Sequence, residues 1–347
     1  MKKAFLLCSA FIFSACAILG NVALLRVFPS KADVGCSAQA ACVMEQNSRR
    51  VLYESGGDLR LPMASTTKIA TAITVLEECE NITQKFAIPQ AAEGIEGSSV
   101  YLKSGDKYSV EDLLYGLMLR SGNDCATALA LYCAGSIEQF SADMNKTAQK
   151  AGALSTNFVN PHGLPAKNHY TTARDLSNIT CYAMQNPIFR KIVSTQYYEP
   201  YAWKNKNKLL MRYEGAIGVK TGYTKEAGRC LVSAAERRKM TLICTVLNCA
   251  DTYECSERLL EDAFSSYQYV KLLDKNEIFE ITDGKQKKAK VLEDFYYPLL
   301  EEEIDLVKRE LVFDDLAVKK DENGEIIGQI QIRLAKHLLF SANLYKL

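Results

Sequence analysis

The apolar residues of this chain change period twice, from strand to helix and back to strand, and few folds accommodate that order. Ala41 to Tyr53 reads as two strands around a polar Gln46-Asn47-Ser48 turn, and Gly56-Gly57-Asp58 closes the unit. From Ser65 the period becomes helical, with Ile69, Ile73 and Leu76 on one face. Val110 to Ala134 holds two more helical segments, separated by a break at Arg120-Ser121-Gly122-Asn123-Asp124. After the irregular loop Asn157 to Asn168, Thr172-Ala173-Arg174-Asp175-Leu176 restarts a helix. Ala216 to Thr221, Arg229 to Ala235 and Thr241 to Asn248 form an antiparallel meander, covered by a helix from Thr252 to Leu272. Strands on both sides of a helical middle imply an α/β (α+β) fold. Its mostly antiparallel sheet is flanked by helices, with an all-helical subdomain between the strand groups. With no GxGxxG or Walker sequence, this is not a doubly wound nucleotide fold. Beyond Asp274, short alternations such as Ile278 to Ile281 and Ile326 to Ile332, with hairpin turns at Asn323-Gly324 and Lys336-His337, indicate a smaller all-β domain.

The ends and the composition narrow the chemistry. Lys2 and Lys3 precede an apolar run from Ala4 to Leu25, which marks an exported chain. The run is long enough to remain as a membrane anchor, and Ala38-Gln39-Ala40 offers a cleavage site, so a signal peptide and an anchor both stay open. Lys and Arg number 42 against 41 Asp and Glu, a balance that leaves no footprint for nucleic acid. The three histidines, His162, His169 and His337, form no HExxH and no zinc-spaced cluster, so neither a metal nor another cofactor is expected. Most of the 12 cysteines read as small buried hydrophobes, with Cys244, Cys249 and Cys255 close enough in sequence for a bridge.

The stretch LPMASTTKIATAI sets Ser65 and Lys68 at the mouth of an apolar helix. At i and i+3 they share a face, near free backbone N–H groups that favour negative charge. A helix cap with a snorkelling lysine explains the tetrapeptide equally well, and Ser104-Gly105-Asp106-Lys107 repeats the spacing in a polar turn with no chemistry. Ser121-Gly122-Asn123 on an interhelical break and Lys220-Thr221-Gly222 on a strand are each ordinary alone. All three in this order form a specific constellation.

With PMASTTKIATA, LRSGNDCATALA, FVNPHGL, YTTARDL and GVKTGYTKEAGRCLVSAAE in series, the sequence resembles the D-alanyl-D-alanine carboxypeptidases similar to penicillin-binding protein 5 (serine peptidase family S11). The resemblance implies a β-lactamase/transpeptidase-like domain with a small C-terminal β domain. Residues 1–40 would be the signal peptide or anchor, 41–272 the catalytic domain and 273–347 the β-rich domain. It implies a serine-type carboxypeptidase that removes the terminal D-alanine from peptidoglycan stem peptides ending in D-Ala-D-Ala, with β-lactams as covalent inhibitors. In that scheme Ser65 is the acyl-ester nucleophile and Lys68, neutral through burial, its general base. Ser121 relays a proton, and Asn123 orients Lys68 and the substrate. Lys220 and Thr221 hold the substrate carboxylate, and Gly222 clears the strand for the peptide. The backbone N–H groups of Ser65 and Tyr223 form the oxyanion hole. His162 in the PHGL loop either lines the site or makes a hydrogen bond within the loop. Relatives often carry an arginine on the strand after KTG; by alignment Thr241 takes that place, shifting the carboxylate onto Lys220 and Thr221. The chain ends at Leu347 without an amphipathic helix, so attachment is expected through the N-terminal segment, or the protein is released from the extracytoplasmic membrane face. Two rivals are a class A β-lactamase, for which no ExxLN sequence supplies the hydrolytic carboxylate, and a penicilloyl-binding sensor.

Overall fold

The computed structural model describes residues 35–283, 285–313 and 319–347, so the expected export run lies outside the described residues. Strand β1 (Ala40–Glu45) is buried along its whole length, as an interior strand covered on both faces must be. The Glu45 carboxylate organises the turn that follows by accepting from the Asn47 N–H (3.1 Å) and from the Ser48 N–H and hydroxyl (2.7 and 2.6 Å). The chain returns as β2 (Val51–Ser55). The meander supplies β3 (Ala216–Thr224), β4 (Gly228–Arg237) and β5 (Met240–Leu247). All five strands form one antiparallel sheet in the order β2-β1-β5-β4-β3.

Strand alternation divides this sheet between two cores. Val232 and Ala234 of β4 face the helical lobe with Cys42, Met44 and Ile243, while Leu231 and Ala235 face the other side with Val43 and Leu242. The first layer contains α1 (Lys68–Glu78), α2 (Val110–Tyr115), α3 (Asn123–Ala134), α4 (Ile137–Lys150), α5 (Ala173–Ala183) and α6 (Pro187–Ser194). The second is α7 (Thr252–Ser266). Side-chain caps begin several of these helices: Ser109 and Asp112 form a capping box, Thr172 accepts from the Asp175 N–H, and Asn186 caps α6 ahead of Pro187.

The structure corrects four readings. The helix expected to reach Leu272 stops at Ser266, because the aromatic and β-branched run beyond it forms β6 (Gln268–Leu273). The helix expected from Ser65 opens as a single 3-10 turn, Ala64–Thr67, and becomes α-helical at Lys68. The break after Arg120 is only Ser121-Gly122, since Asn123 and Asp124 already belong to α3. Cys255 bonds to Cys36, 219 residues away, while Cys244 stays free inside β5, opposite Val43 and Ser233.

The C-terminal part pairs β6 with β9 (Phe295–Leu299), and between them run β7 (Phe279–Asp283) and β8 (Lys285–Lys290). They are followed by β10 (Val307–Val312), β11 (Lys319–Asp321), β12 (Gly324–Leu334) and β13 (His337–Lys346). These strands build a sheet in the order β7-β8-β13-β12-β10, with β11 also on β12. Among the described residues no helix is long and apolar enough to cross a membrane.

Arg50, just after the β1–β2 turn, joins the two parts. Its guanidinium donates to Glu303 Oε1 (2.5 Å) and the Pro298 carbonyl (2.6 Å), and lies over the rings of Tyr267 and Tyr297. Both ions of the pair are buried. Arg50→Ala leaves Glu303 without its counter-ion, and equilibrium urea unfolding is expected to show a loss of about 3–5 kcal/mol. A loss within experimental error would show that this contact does not hold the two parts together.

Candidate active site

Ala64 adopts a left-handed backbone (φ 49°) and starts the 3-10 turn that presents Ser65. The hydroxyls here do not cap the helix. Thr66 donates to the Met63 carbonyl and Thr67 to the Ala64 carbonyl, while Ser65 Oγ faces Lys68. The Lys68 side chain is fully buried, and its Nζ lies 3.0 Å from Ser65 Oγ, 2.7 Å from Asn123 Oδ1 and 2.6 Å from the His162 carbonyl. As an ammonium it donates to all three. As a neutral amine it keeps two donors for Asn123 and His162, and its lone pair faces the Ser65 hydroxyl. Burial holds its pKa well below the ordinary lysine value, and the charge of Lys220 lowers it further.

Lys220 is only 1% exposed, and burial, with Lys206 nearby, brings its pKa down to about 7. Its ammonium donates to the Thr221 carbonyl (3.0 Å). Lys206 donates to Ser98 Oγ (3.3 Å) and contributes to the lowering of both Lys68 and Lys220. Among the described residues no carboxylate hydrogen-bonds any of these three lysines. The cluster is therefore poised to receive an anion.

Strand β3 carries Lys220, Thr221, Gly222 and Tyr223 past the nucleophile turn. A Cβ on Gly222 would stand 3.1 Å from the Met63 carbonyl, 3.2 Å from Ala64 Cβ and 3.2 Å from the Ser65 nitrogen. Gly222 thus lets the strand close against the backbone of Ser65 itself. Thr221, Gly222 and the 65% exposed Tyr223 line a pocket of about 300 Å³ together with Arg229, Cys230, Thr252 and Tyr253.

The loop Asn160 to Leu164 completes the enclosure. Asn160 Oδ1 accepts from the Gly163 N–H (2.7 Å), and Thr71 Oγ1 donates to the Pro161 carbonyl (2.6 Å), which pins the loop to α1. His162 contributes its carbonyl to Lys68, while its ring Nδ1 accepts from the Leu164 N–H (3.2 Å). Burial and the Lys68 charge hold that imidazole neutral, with a pKa of about 4. Ser121 is buried on the left-handed turn two residues before Asn123, and no hydrogen bond joins its hydroxyl to Ser65 or Lys68. Ser104 and Lys107, which share the Ser65–Lys68 spacing, are exposed.

One residue outside the motifs matters here. Asp124 is fully buried and accepts from Ser99 Oγ (2.6 Å) and from the N–H groups of Val100 (3.0 Å), Leu102 (3.1 Å) and Cys125 (2.9 Å). It thereby clamps the segment whose Glu96 and Ser98 carbonyls take the side-chain and backbone N–H of Asn123. With its NH₂ engaged by Glu96, Asn123 must turn Oδ1 toward Lys68. Its acidic character beside an SGN sequence was the available signal. Arg229 stands opposite Tyr223 in the β3–β4 register and lines the pocket of about 300 Å³, but on the sheet face away from Lys220. Thr241 is not in that position: it pairs with Glu236 near the opposite end of β4, to which its hydroxyl donates. The only group of possible metal ligands among the described residues is the sulfurs of Cys36, Cys249 and Cys255, two of which are joined as the disulfide.

A half-buried serine beside a fully buried lysine at a helix mouth, against an antiparallel sheet strand with a second buried lysine, defines an active-site-serine acyl-transfer fold of the penicillin-recognising kind. Residues 28–251 match the D-alanyl-D-alanine carboxypeptidase family, peptidase S11, and residues 267–347 match the C-terminal domain of penicillin-binding protein 5. The chain belongs to the D-alanyl-D-alanine carboxypeptidase family. It is 29% identical over 323 residues to D-alanyl-D-alanine carboxypeptidase DacF of Bacillus subtilis, covering 87% of this chain and 82% of that one. It is 39% identical over 234 residues to a D-alanyl-D-alanine carboxypeptidase of a Streptomyces strain, covering 61% and 80%. The structure of penicillin-binding protein 5 from Haemophilus influenzae superposes with a TM-score of 0.75 at 28% identity, covering 90% of this chain and 97% of that one.

Asp124→Ala orphans several buried N–H groups at once. Urea unfolding is expected to show a loss of at least about 3 kcal/mol, and penicillin acylation of the folded fraction should slow as Asn123 loses its orientation. Unchanged stability and rate would separate Asp124 from the site.

Proposed function

We propose that this carboxypeptidase acts through Ser65, which attacks the carbonyl of the penultimate D-alanine of a peptidoglycan stem peptide and expels the terminal D-alanine. The observation that carries this reading is the 3.0 Å contact between half-buried Ser65 and the fully buried Lys68, which has no carboxylate partner. In the attack the Ser65 hydroxyl proton passes to neutral Lys68 Nζ while Oγ bonds to the carbonyl carbon. Asn123 and the His162 carbonyl hold the amine in line. The Ser65 and Tyr223 backbone N–H groups, brought together where Gly222 packs against Ser65, stabilise the oxyanion. Ser121 hands a proton to the departing amine, and water then hydrolyses the ester. The substrate's terminal carboxylate is bound by Lys220 and Thr221.

A β-lactam enters the same site, opens on Ser65 and remains there as an ester. Rapid hydrolysis of that ester in a class A enzyme needs a carboxylate-held water. Neither Ser65 nor Lys68 has a carboxylate among its hydrogen-bond partners here, which favours the carboxypeptidase over the lactamase.

The protein works at the extracytoplasmic face, with the N-terminal segment ahead of Cys36 as signal peptide or anchor. Cleavage after Ala40 would remove Cys36, the partner of Cys255, so any processing falls upstream of Cys36. Trimming stem peptides there limits the donors left for cross-linking, and through them cell shape.

Incubating the purified chain with diacetyl-Lys-D-Ala-D-Ala and with benzylpenicillin tests the reading directly. D-Alanine release with a long-lived adduct is expected; fast penicillin turnover identifies a lactamase, and an adduct without D-alanine release a sensor. Ser65→Ala should show no adduct by intact mass, and any adduct on that variant rules out the nucleophile. Lys68→Ala should keep its circular dichroism yet acylate about 10²–10⁴-fold more slowly.

The pH dependence has a defined sign. The second-order acylation constant falls as pH rises through about 7, where Lys220 loses the charge that holds the carboxylate, while deprotonation of Lys68, held well below the ordinary lysine value by burial, favours the reaction. Lys220→Arg, always charged, should move the falling limb well above 7. A limb that stays in place belongs to another group.

A further inference from the structure

Cys79 follows directly on the last residue of α1 as its C-cap, and Cys133 lies one residue before the end of α3, with their sulfurs 3.1 Å apart. Non-bonded sulfurs do not ordinarily approach so closely, and the gap exceeds a disulfide bond by only about 1 Å. Both thiols are half-buried, so a small reagent can reach them. The other free thiols of the described residues, on Cys42, Cys125, Cys181, Cys230, Cys244 and Cys249, are buried. The same chain carries the Cys36–Cys255 disulfide, which belongs to a compartment where thiols oxidise.

We propose that Cys79 and Cys133 form a second disulfide, made by exchange with an external disulfide, which staples α1 to α3. The Cys79 thiolate attacks one sulfur of the external disulfide and expels its partner as a thiolate. The Cys133 thiolate then attacks the Cys79 sulfur of the mixed disulfide, closing the Cys79–Cys133 bond and expelling the second thiolate. Two protein thiols give up two electrons and two protons, and the external disulfide leaves as two thiols. A hydrogen bond from Cys133 lowers the Cys79 thiol below its ordinary value and raises Cys133, which makes Cys79 the first attacker.

The place of the bond gives it a purpose. α1 begins at Lys68 and α3 begins at Asn123, and the Lys68–Asn123 hydrogen bond joins those near ends. The disulfide fastens the far ends of the same two helices, so the pair is held at both extremities. It also closes a long loop in the unfolded chain, which lowers that state's entropy.

The full chain, purified with reductant, is exposed to glutathione disulfide under native conditions, alkylated, digested without reduction and mapped by mass spectrometry. A linked Cys79–Cys133 peptide is expected beside Cys36–Cys255. The oxidised wild type should melt about 5–10 °C above oxidised Cys133→Ser, and the difference should vanish once both are reduced. Both thiols found alkylated, either one linked to another cysteine, or equal melting of the two oxidised proteins would each overturn the proposal. The peptide map needs no variant, and Cys79→Ser repeats the melting comparison should Cys133→Ser fail to fold.

Discussion

Burial of one amine organises this molecule. A lysine side chain withdrawn completely from water is costly unless its hydrogens are accepted and its charge can be released. Lys68 meets the first condition with acceptors from three separate segments: its own helix mouth, the start of α3 and the Asn160–Leu164 loop. It meets the second through proximity to Lys220, which disfavours two charges in one enclosed space. The same burial that makes the lysine expensive makes it a base, and the three segments are fixed relative to one another by the need to surround it.

Much of the surrounding structure serves that enclosure. Thr71 ties Pro161 to α1, Asn160 turns its own loop, and Asp124 collects a ring of N–H donors so that Asn123 presents oxygen to the amine. Gly222 removes the side chain that would hold β3 away from Ser65. Farther out, Arg50 locks the β1–β2 turn to Glu303 and Pro298, so the C-terminal part rests on the edge of the catalytic sheet through a buried ion pair.

The order of elements was legible because periodicity and caps are local. The Thr172 and Ser109 caps, the meander strands and the hairpin turns follow from residues within a few positions of one another. The errors came where tertiary contacts override local preference. The residues after Ser266 continue a helical pattern on paper, yet Tyr267 and Tyr269 pack toward Arg50, Asn47 and the β9 partner strand. The resemblance puts Thr241 near the carboxylate site, but β4 and β5 run antiparallel, and Thr241 pairs with Glu236 at the end of β4 away from Gly228.

The sequence by itself determined the residue types and the order of the Ser-x-x-Lys, Ser-Gly-Asn and Lys-Thr-Gly motifs, since chemistry demands a nucleophile, a latent base and a carboxylate-binding cation. It could not distinguish Ser65–Lys68 from Ser104–Lys107 by spacing alone. Tertiary structure made that distinction by burying one lysine among three acceptors and leaving the other in solvent. It also decided the roles of Asp124 and Lys206, and the pairing of Cys36 with Cys255. Each depends on distances between segments that are remote in the chain, and no local pattern encodes them.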